Sequence, residues 1–176
     1  MRILGICGSL RRISSNSNLL LAAQSLAPPG MDIELYTGLT RLPYFNPDDD
    51  HDAPPAAVAD LRRLVGEVQG ILICSPEYAR GVAGVLKNAL DWLVSGEEFP
   101  GKPVAVLNAS QRALHADQAL RLTLTTMSAH LVEAACITVP LLGRQLDAIG
   151  ISQDAELGGA VRVALLAFQS AILQPE

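Results

Sequence analysis

Aromatic side chains are scarce in this chain of 176 residues: Phe, Tyr and Trp together make up 4 % of it, with a single tryptophan. A core of stacked rings is thereby excluded. Leu, Val, Ile and Ala must build the interior, and with 49 % of the residues apolar that composition suits an aliphatic sheet under Ala- and Leu-rich helices. Basic charge is also short. Thirteen Lys and Arg against 18 Asp and Glu leave a formal charge of −5, which excludes the basic face that a nucleic-acid partner requires. The three cysteines, Cys7, Cys74 and Cys136, are far apart, lie in or at the end of strand-like runs and have no metal-ligand spacing, so they read as buried, reduced thiols. No apolar run approaches the roughly 20 residues of a membrane span. Met1-Arg2-Ile3-Leu4 enters a strand-like segment without a small-residue cleavage site, which reads against a secretory signal. The expectation is one domain over residues 1–176, cytoplasmic, without membrane or nucleic-acid partners.

Five β-rich runs stand out: Arg2 to Cys7, Asp32 to Tyr36, Gly70 to Cys74, Pro103 to Leu107 and Ala135 to Val139. Helical patterns lie between and after them. Val82, Val85, Leu86, Ala89, Leu90 and Leu93 repeat at helical spacing and predict a helix over about 83–93. Others are predicted from Ser15 to Leu26, stopped by Pro28-Pro29-Gly30; from Pro54-Pro55 through Val68; from His115 to Ser128; and from Leu157 to Ile172. Strand–helix alternation implies parallel strands joined by right-handed crossovers. Five units fit a flavodoxin-like, doubly wound α/β fold, with a five-stranded parallel sheet of order 2-1-3-4-5 and helices on both faces, better than a barrel of about 250 residues. Ligands of such sheets bind beyond the carboxyl ends of the first and third strands.

The loop after the first strand, Gly8-Ser9-Leu10-Arg11-Arg12-Ile13-Ser14-Ser15-Asn16-Ser17, gathers hydroxyls and guanidinium groups in an otherwise acidic chain. Gly8 lets the backbone turn, Ser14 or Ser15 can cap the next helix, and the free amides of that helix suit a phosphate. Arg11 would add charge, and Ser9, Ser14, Ser15, Ser17 and Asn16 would add polar groups. GxxxxGK[ST] and GxGxxG are both missing, which disfavours ATP-type and Rossmann-type binding. A Cys-x5-Arg phosphatase loop misfits by one residue, because five residues after Cys7 comes Ile13, and no Asp-Pro pair exists to supply its acid.

The loop after the third strand runs through Ser75-Pro76-Glu77-Tyr78-Ala79-Arg80-Gly81. A flat ligand can lie against its backbone, with the Tyr78 ring as an aromatic wall. Glu77 reads as a carboxylate solvated or bonded to nearby amides rather than a catalytic acid. Together the two loops resemble the NADPH-dependent FMN reductase family, which includes quinone, chromate and azo reductases. Gly8-Ser9-Leu10-Arg11, Ser14 and Asn16 match its G-S-L-R-x-x-S-x-N loop. Pro76-Glu77-Tyr78 and Gly84-Val85-Leu86-Lys87-Asn88-Ala89-Leu90-Asp91-Trp92 match its P-E-Y-N-x-S-x-P-G-x-L-K-N-A-I-D-W signature, and Leu42 to Asp48 look like its loop after the second strand. Ala79, Gly81 and Ala83 depart from the family's Asn, Ser and Pro.

The resemblance implies bound FMN, reduced by NADPH or NADH and reoxidised by a small-molecule electron acceptor. It implies a homodimer, with a tetramer as the alternative. Ser9, Arg11, Ser14, Asn16 and Ser17 are then expected to hold the phosphate, and Pro76, Glu77 and Tyr78 the ring; Ser110, after the fourth strand, would touch the ring or ribityl. The cofactor supplies the redox chemistry, so no catalytic residue is assigned to the protein. A flavin-binding electron carrier without reductase activity is the alternative, and a Cys7-dependent phosphatase a more distant one. Elsewhere, Pro47 to Pro55 reads as a solvated acidic loop rather than a metal site, and His115 and His130 as capping or exposed. Trp92 reads either as core or, as the resemblance implies, as facing a partner subunit.

Overall fold

The computed structural model describes residues 1–174. Strand β1 (Arg2–Cys7) is flanked by β2 (Asp32–Tyr36) and β3 (Gly70–Cys74), and β3 pairs in turn with β6 (Pro103–Asn108). The fifth position is filled by two short pieces, β7 (His130–Leu131) and β8 (Ile137–Thr138), both parallel to β6. The order β2-β1-β3-β6-β7 is the expected flavodoxin-like one. Where a strand over Ala135 to Val139 was expected, only Ile137–Thr138 pairs, and a 3-10 turn at Glu133–Ala135 separates it from β7. At the interruption the Val106 N–H donates to the Cys136 sulfur at 3.3 Å, so a side chain takes the place of a missing ladder carbonyl.

Alternation along the strands sorts the aliphatic residues onto two faces. Leu4, Ile6, Ile71, Ile73, Val104 and Val106 pack under α2 (Ala56–Glu67), α3 (Gly84–Leu93) and α4 (Leu114–Thr126). Ile3, Ile33, Leu72, Ala105 and Leu107 pack under α1 (Ser15–Ser25), α5 (Ala148–Gln153) and α6 (Ala155–Leu173). The short α5 was not expected. Helix α6 corrects the reading that no segment approaches membrane-spanning length: its 19 residues pass by length and composition. It nonetheless lays Leu157, Val161, Leu165 and Phe168 on the sheet as a covering helix.

Trp92 is fully buried within the chain, which settles its role as core and corrects the partner-facing reading. Its indole N–H donates to the Pro43 carbonyl at 2.8 Å, and its ring meets Phe45 edge-on at 5.0 Å. Asn88, one helical turn earlier, donates to the same carbonyl at 2.9 Å and accepts from the Phe45 N–H at 2.8 Å. Three hydrogen bonds and one ring contact from α3 thus clamp the loop after β2. Beyond it, the acidic loop is not wholly solvated as expected. Asp50 pairs with Arg62 at 2.8 Å, with side chains only 11 % and 14 % exposed, and Ser95 donates to Asp50 at 2.6 Å. These two hydrogen bonds hold the Asp50 carboxyl below its usual range. Arg62 also donates to the Trp92 carbonyl near the end of α3, satisfying a carbonyl that the helix leaves free.

Candidate active site

Three loops meet at the carboxyl ends of β1, β3 and β6. The first turns where it does because Gly8 has no side chain: its N–H donates to the Cys74 carbonyl at 2.8 Å, and a Cβ there would lie 2.4 Å from Ser75 Oγ and 2.9 Å from Ser75 Cβ. The loops after β1 and β3 therefore touch. Ser14 then caps α1 from an extended conformation, φ −146° and ψ 133°, accepting from the Asn16 N–H at 3.2 Å. The remaining first-turn amides of α1 point toward the strand ends, which is the geometry a phosphate uses.

The buried polar side chains among the described residues are Ser9, Ser14, Asn16 and Asn108, all at the carboxyl ends of β1 and β6. Burial of such groups costs free energy unless they are bonded. Ser9 accepts from the Arg11 N–H at 3.4 Å, and Asn16 Oδ1 accepts from the Cys74 thiol at 3.3 Å. Ser17 is half-buried and hydrogen-bonded to the Cys7 thiol at 3.2 Å. Asn108 escaped the sequence reading, although an Asn at a strand end is a known loop organiser. It accepts from the Ser110 N–H at 3.0 Å and donates to the Ala113 carbonyl at 3.4 Å, shaping the loop that carries Ser110.

The third loop is a small hairpin. Strand β4 (Glu77–Tyr78) pairs antiparallel with β5 (Gly81–Val82) through Ala79 and Arg80. Both turn residues are left-handed, with φ of 49° and 60°. A two-residue turn of this hand favours Asn and Gly, so the departure of Ala79 from the family's Asn falls where the backbone makes it matter. From β4, Glu77 reaches across to α4, its Oε2 accepting from the Ala116 N–H at 2.9 Å. Glu77 is thus bonded to an amide, as expected, but to one 39 residues away. Helix α4 has no side-chain cap of its own at Ala113.

The expected site residues fall around two clefts. A cleft of about 400 Å³ is bordered by Ser15, Asn16, Pro76, Glu77, Ser110 and Arg112, with Asn108 at its base. A cleft of about 780 Å³ is bordered by Leu10, Arg11, Leu42, Tyr44, Tyr78 and Val85. Arg11 and Tyr78 border the second cleft, not the one that Pro76 and Glu77 line. Ser9, Ser14 and Ser17 build the floor and the helix start rather than lining either cleft. His115 and His130 are exposed. Among the described residues no group of three or more His, Cys, Asp or Glu is placed to hold a metal.

A sequence model of the family described as NADPH-dependent FMN reductase matches residues 1–141. An NAD(P)H-dependent FMN reductase of Pseudomonas aeruginosa is 36 % identical over 174 residues, covering 96 % of this chain and 94 % of that protein. A 2-hydroxy-1,4-benzoquinone reductase of a Burkholderia species is 38 % identical over 117 residues, covering 65 % of this chain and 63 % of the relative. Among solved structures, the flavoenzyme NAD(P)H:(acceptor) oxidoreductase FerB of Paracoccus denitrificans superposes with a TM-score of 0.80 at 26 % identity, over 98 % of this chain and 97 % of that one.

Proposed function

This chain belongs to the NADPH-dependent FMN reductase family, and on that premise we propose how its residues carry hydride from NAD(P)H through bound FMN to a small-molecule acceptor such as a quinone. The observation that carries the reading is the cleft of about 400 Å³, a size proper to a small-molecule site, lined by two of the buried polar side chains among the described residues, Asn16 and Asn108. The phosphate would be held at the start of α1 by the first-turn amides and by Ser9, Ser14, Asn16 and Ser17, with the exposed Arg11 supplying charge from the same loop. The ring would be held between Pro76-Glu77 on one side and the loop of Asn108, Ala109 and Ser110 on the other. When bound, FMN supplies the hydride acceptor and donor.

The protein's own contribution is placement. Ser14 fixes the direction of α1, and Gly8 lets the first and third loops touch. Glu77 ties the third loop to α4, so the two walls of the ring cleft are one braced unit. The carboxylate is engaged by an amide and serves as a positioning group rather than a proton donor. Tyr78, across the hairpin from the ring, belongs to the larger cleft.

That larger cleft exposes Leu10, Tyr44 and Tyr78, with Tyr44 93 % accessible. Solvent-exposed apolar residues in such a group favour contact with another surface, and a second copy of this chain is the reading adopted: a cytoplasmic homodimer with the whole chain acting as one domain. Anaerobic addition of NADPH to the FMN-loaded protein tests the function. The flavin absorbance is expected to bleach and to return on adding a benzoquinone. A flavin that stays oxidised with both NADPH and NADH would leave only an electron carrier.

A further inference from the structure

Cys7 and Cys74 end β1 and β3 as register partners in adjacent parallel strands. The ladder continues past them through the Gly8 N–H bond to the Cys74 carbonyl. Neighbouring strands lie about 4.8 Å apart, inside the range of roughly 4.4 to 6.8 Å that the Cα atoms of a disulfide span. Both side chains leave the sheet on the same face, within the aliphatic layer under α1. They end on consecutive residues of one helical turn: the Cys74 thiol donates to Asn16 Oδ1 at 3.3 Å, and the Cys7 thiol is hydrogen-bonded to Ser17 Oγ at 3.2 Å. The Cys7 thiol also reaches the Ser9 carbonyl at 3.6 Å. The side-chain contacts of the pair are therefore with the loop and helix start that hold the phosphate, while the Ala109 backbone, after β6, also reaches the Cys74 sulfur.

The two thiols differ in access. Cys7 is half-buried and Cys74 fully buried, and burial pushes the Cys74 thiol well above the ordinary cysteine range. Cys7 is the one an oxidant meets first. Cys136 stands apart, engaged by the Val106 N–H beside the edge strand.

We infer that Cys7 and Cys74 form an oxidisable dithiol, a disulfide-forming site in the floor of the phosphate loop whose closure loosens the loop's hold on the flavin. The bond itself does not depend on the flavin reading; only its consequence does. Hydrogen peroxide, which reduced flavins produce with oxygen, is the oxidant. Its O–O bond breaks as the Cys7 sulfur takes one oxygen to become a sulfenic acid, and the first water leaves. The Cys74 sulfur then attacks the Cys7 sulfur, the S–S bond forms, and the hydroxyl departs with the Cys74 proton as the second water. The thiols lose two electrons and the peroxide gains them. Closure withdraws the Cys74 donor from Asn16 and the Cys7 contact from Ser17, so the first turn of α1 loses both supports.

The test is made on the FMN-loaded full chain with hydrogen peroxide. Intact mass is expected to fall by two hydrogens, a non-reducing peptide map to show Cys7 joined to Cys74, and FMN fluorescence to report several-fold faster release, reversed by dithiothreitol. Cys7→Ser and Cys74→Ala are each expected to abolish the crosslink, while Cys136→Ala retains it. Since the wild-type map reads the bond directly, a variant that fails to fold does not weaken the test. A crosslink involving Cys136, or an oxidised Cys7 that never joins Cys74, overturns the site. A Cys7–Cys74 bond with unchanged flavin release overturns the coupling. A bond formed in a chain that takes up no FMN retains the site and overturns the flavin reading instead.

Discussion

The Glu77 carboxylate accepts a hydrogen bond from the Ala116 N–H at 2.9 Å, so a residue of the β4–β5 hairpin caps a helix that carries no cap of its own. The contact places negative charge at the positive end of the α4 dipole and joins the two walls of the ring cleft. Glu77→Ala is expected to lower stability by about 1 to 2 kcal/mol, the usual cost of losing a cap with its charge. Glu77→Gln keeps an acceptor and is expected to lose less than half of that. Urea unfolding of both variants checks the order, and equal losses would remove the carboxylate from the capping role.

Ala79 holds a positive φ of 49° without the side chain or the freedom that suits it. A left-handed conformation costs a non-glycine residue roughly 1 to 2 kcal/mol, part of which glycine returns as entropy of the unfolded chain. Ala79→Gly is expected to raise stability by about 0.5 to 1 kcal/mol, and Ala79→Asn to raise it as well. Thermal unfolding reads the shift; a lower midpoint in both variants would show that the turn is not strained.

Asn88 and Trp92 hold the loop after β2 from beneath, both through the Pro43 carbonyl. Asn88→Ala removes one of the two donors to Pro43 and the only acceptor given for the Phe45 N–H, and is expected to cost about 1 to 2 kcal/mol, chiefly because that N–H is left unpaired. The loop borders the larger cleft, not the ring cleft, so FMN retention should be unchanged while limited proteolysis cuts the segment around Tyr44 more rapidly. Loss of flavin without new cleavage would contradict this division of roles.

Much of the sheet was legible because its strands are short, nearly continuous aliphatic runs between helical patterns, and the order of units left one sensible topology. The edge strand was not, since Cys136 replaces a ladder carbonyl with sulfur and no residue pattern announces that. Nor was the hairpin, because Ala79-Arg80 lacks the Gly or Asn that marks a tight turn. The phosphate loop was read from its serines, its arginine and its position. That Tyr78 borders a different cleft from Glu77 was hidden, because facing directions in the loop after β3 follow from a turn that the local sequence conceals. The Glu77–Ala116 bond spans 39 residues and has no local signal at all.

Asp50 titrates below the ordinary carboxyl value of 3.8, chiefly through the Ser95 and Arg62 hydrogen bonds. A depressed folded-state value contributes stability that is complete above the unfolded value and lost as pH falls through the folded one. The acid limb of the stability profile below about pH 4 is therefore expected to be shallower in Asp50→Asn, with a lower plateau at neutral pH. Unfolding midpoints measured across the acid range check both features; an acid limb unchanged in slope would place the sensitivity elsewhere.

The account rests on FMN occupying the cleft between the first, third and fourth loops rather than the larger apolar one. Fluorescence titration of the apo chain with FMN, comparing Asn16→Ala with Tyr44→Ala, separates the two directly. Asn16→Ala is expected to weaken binding about tenfold or more, equivalent to about 1.4 kcal/mol, and Tyr44→Ala to leave it within twofold, about 0.4 kcal/mol. The reverse order, with Tyr44→Ala losing the flavin and Asn16→Ala retaining it, would contradict the account.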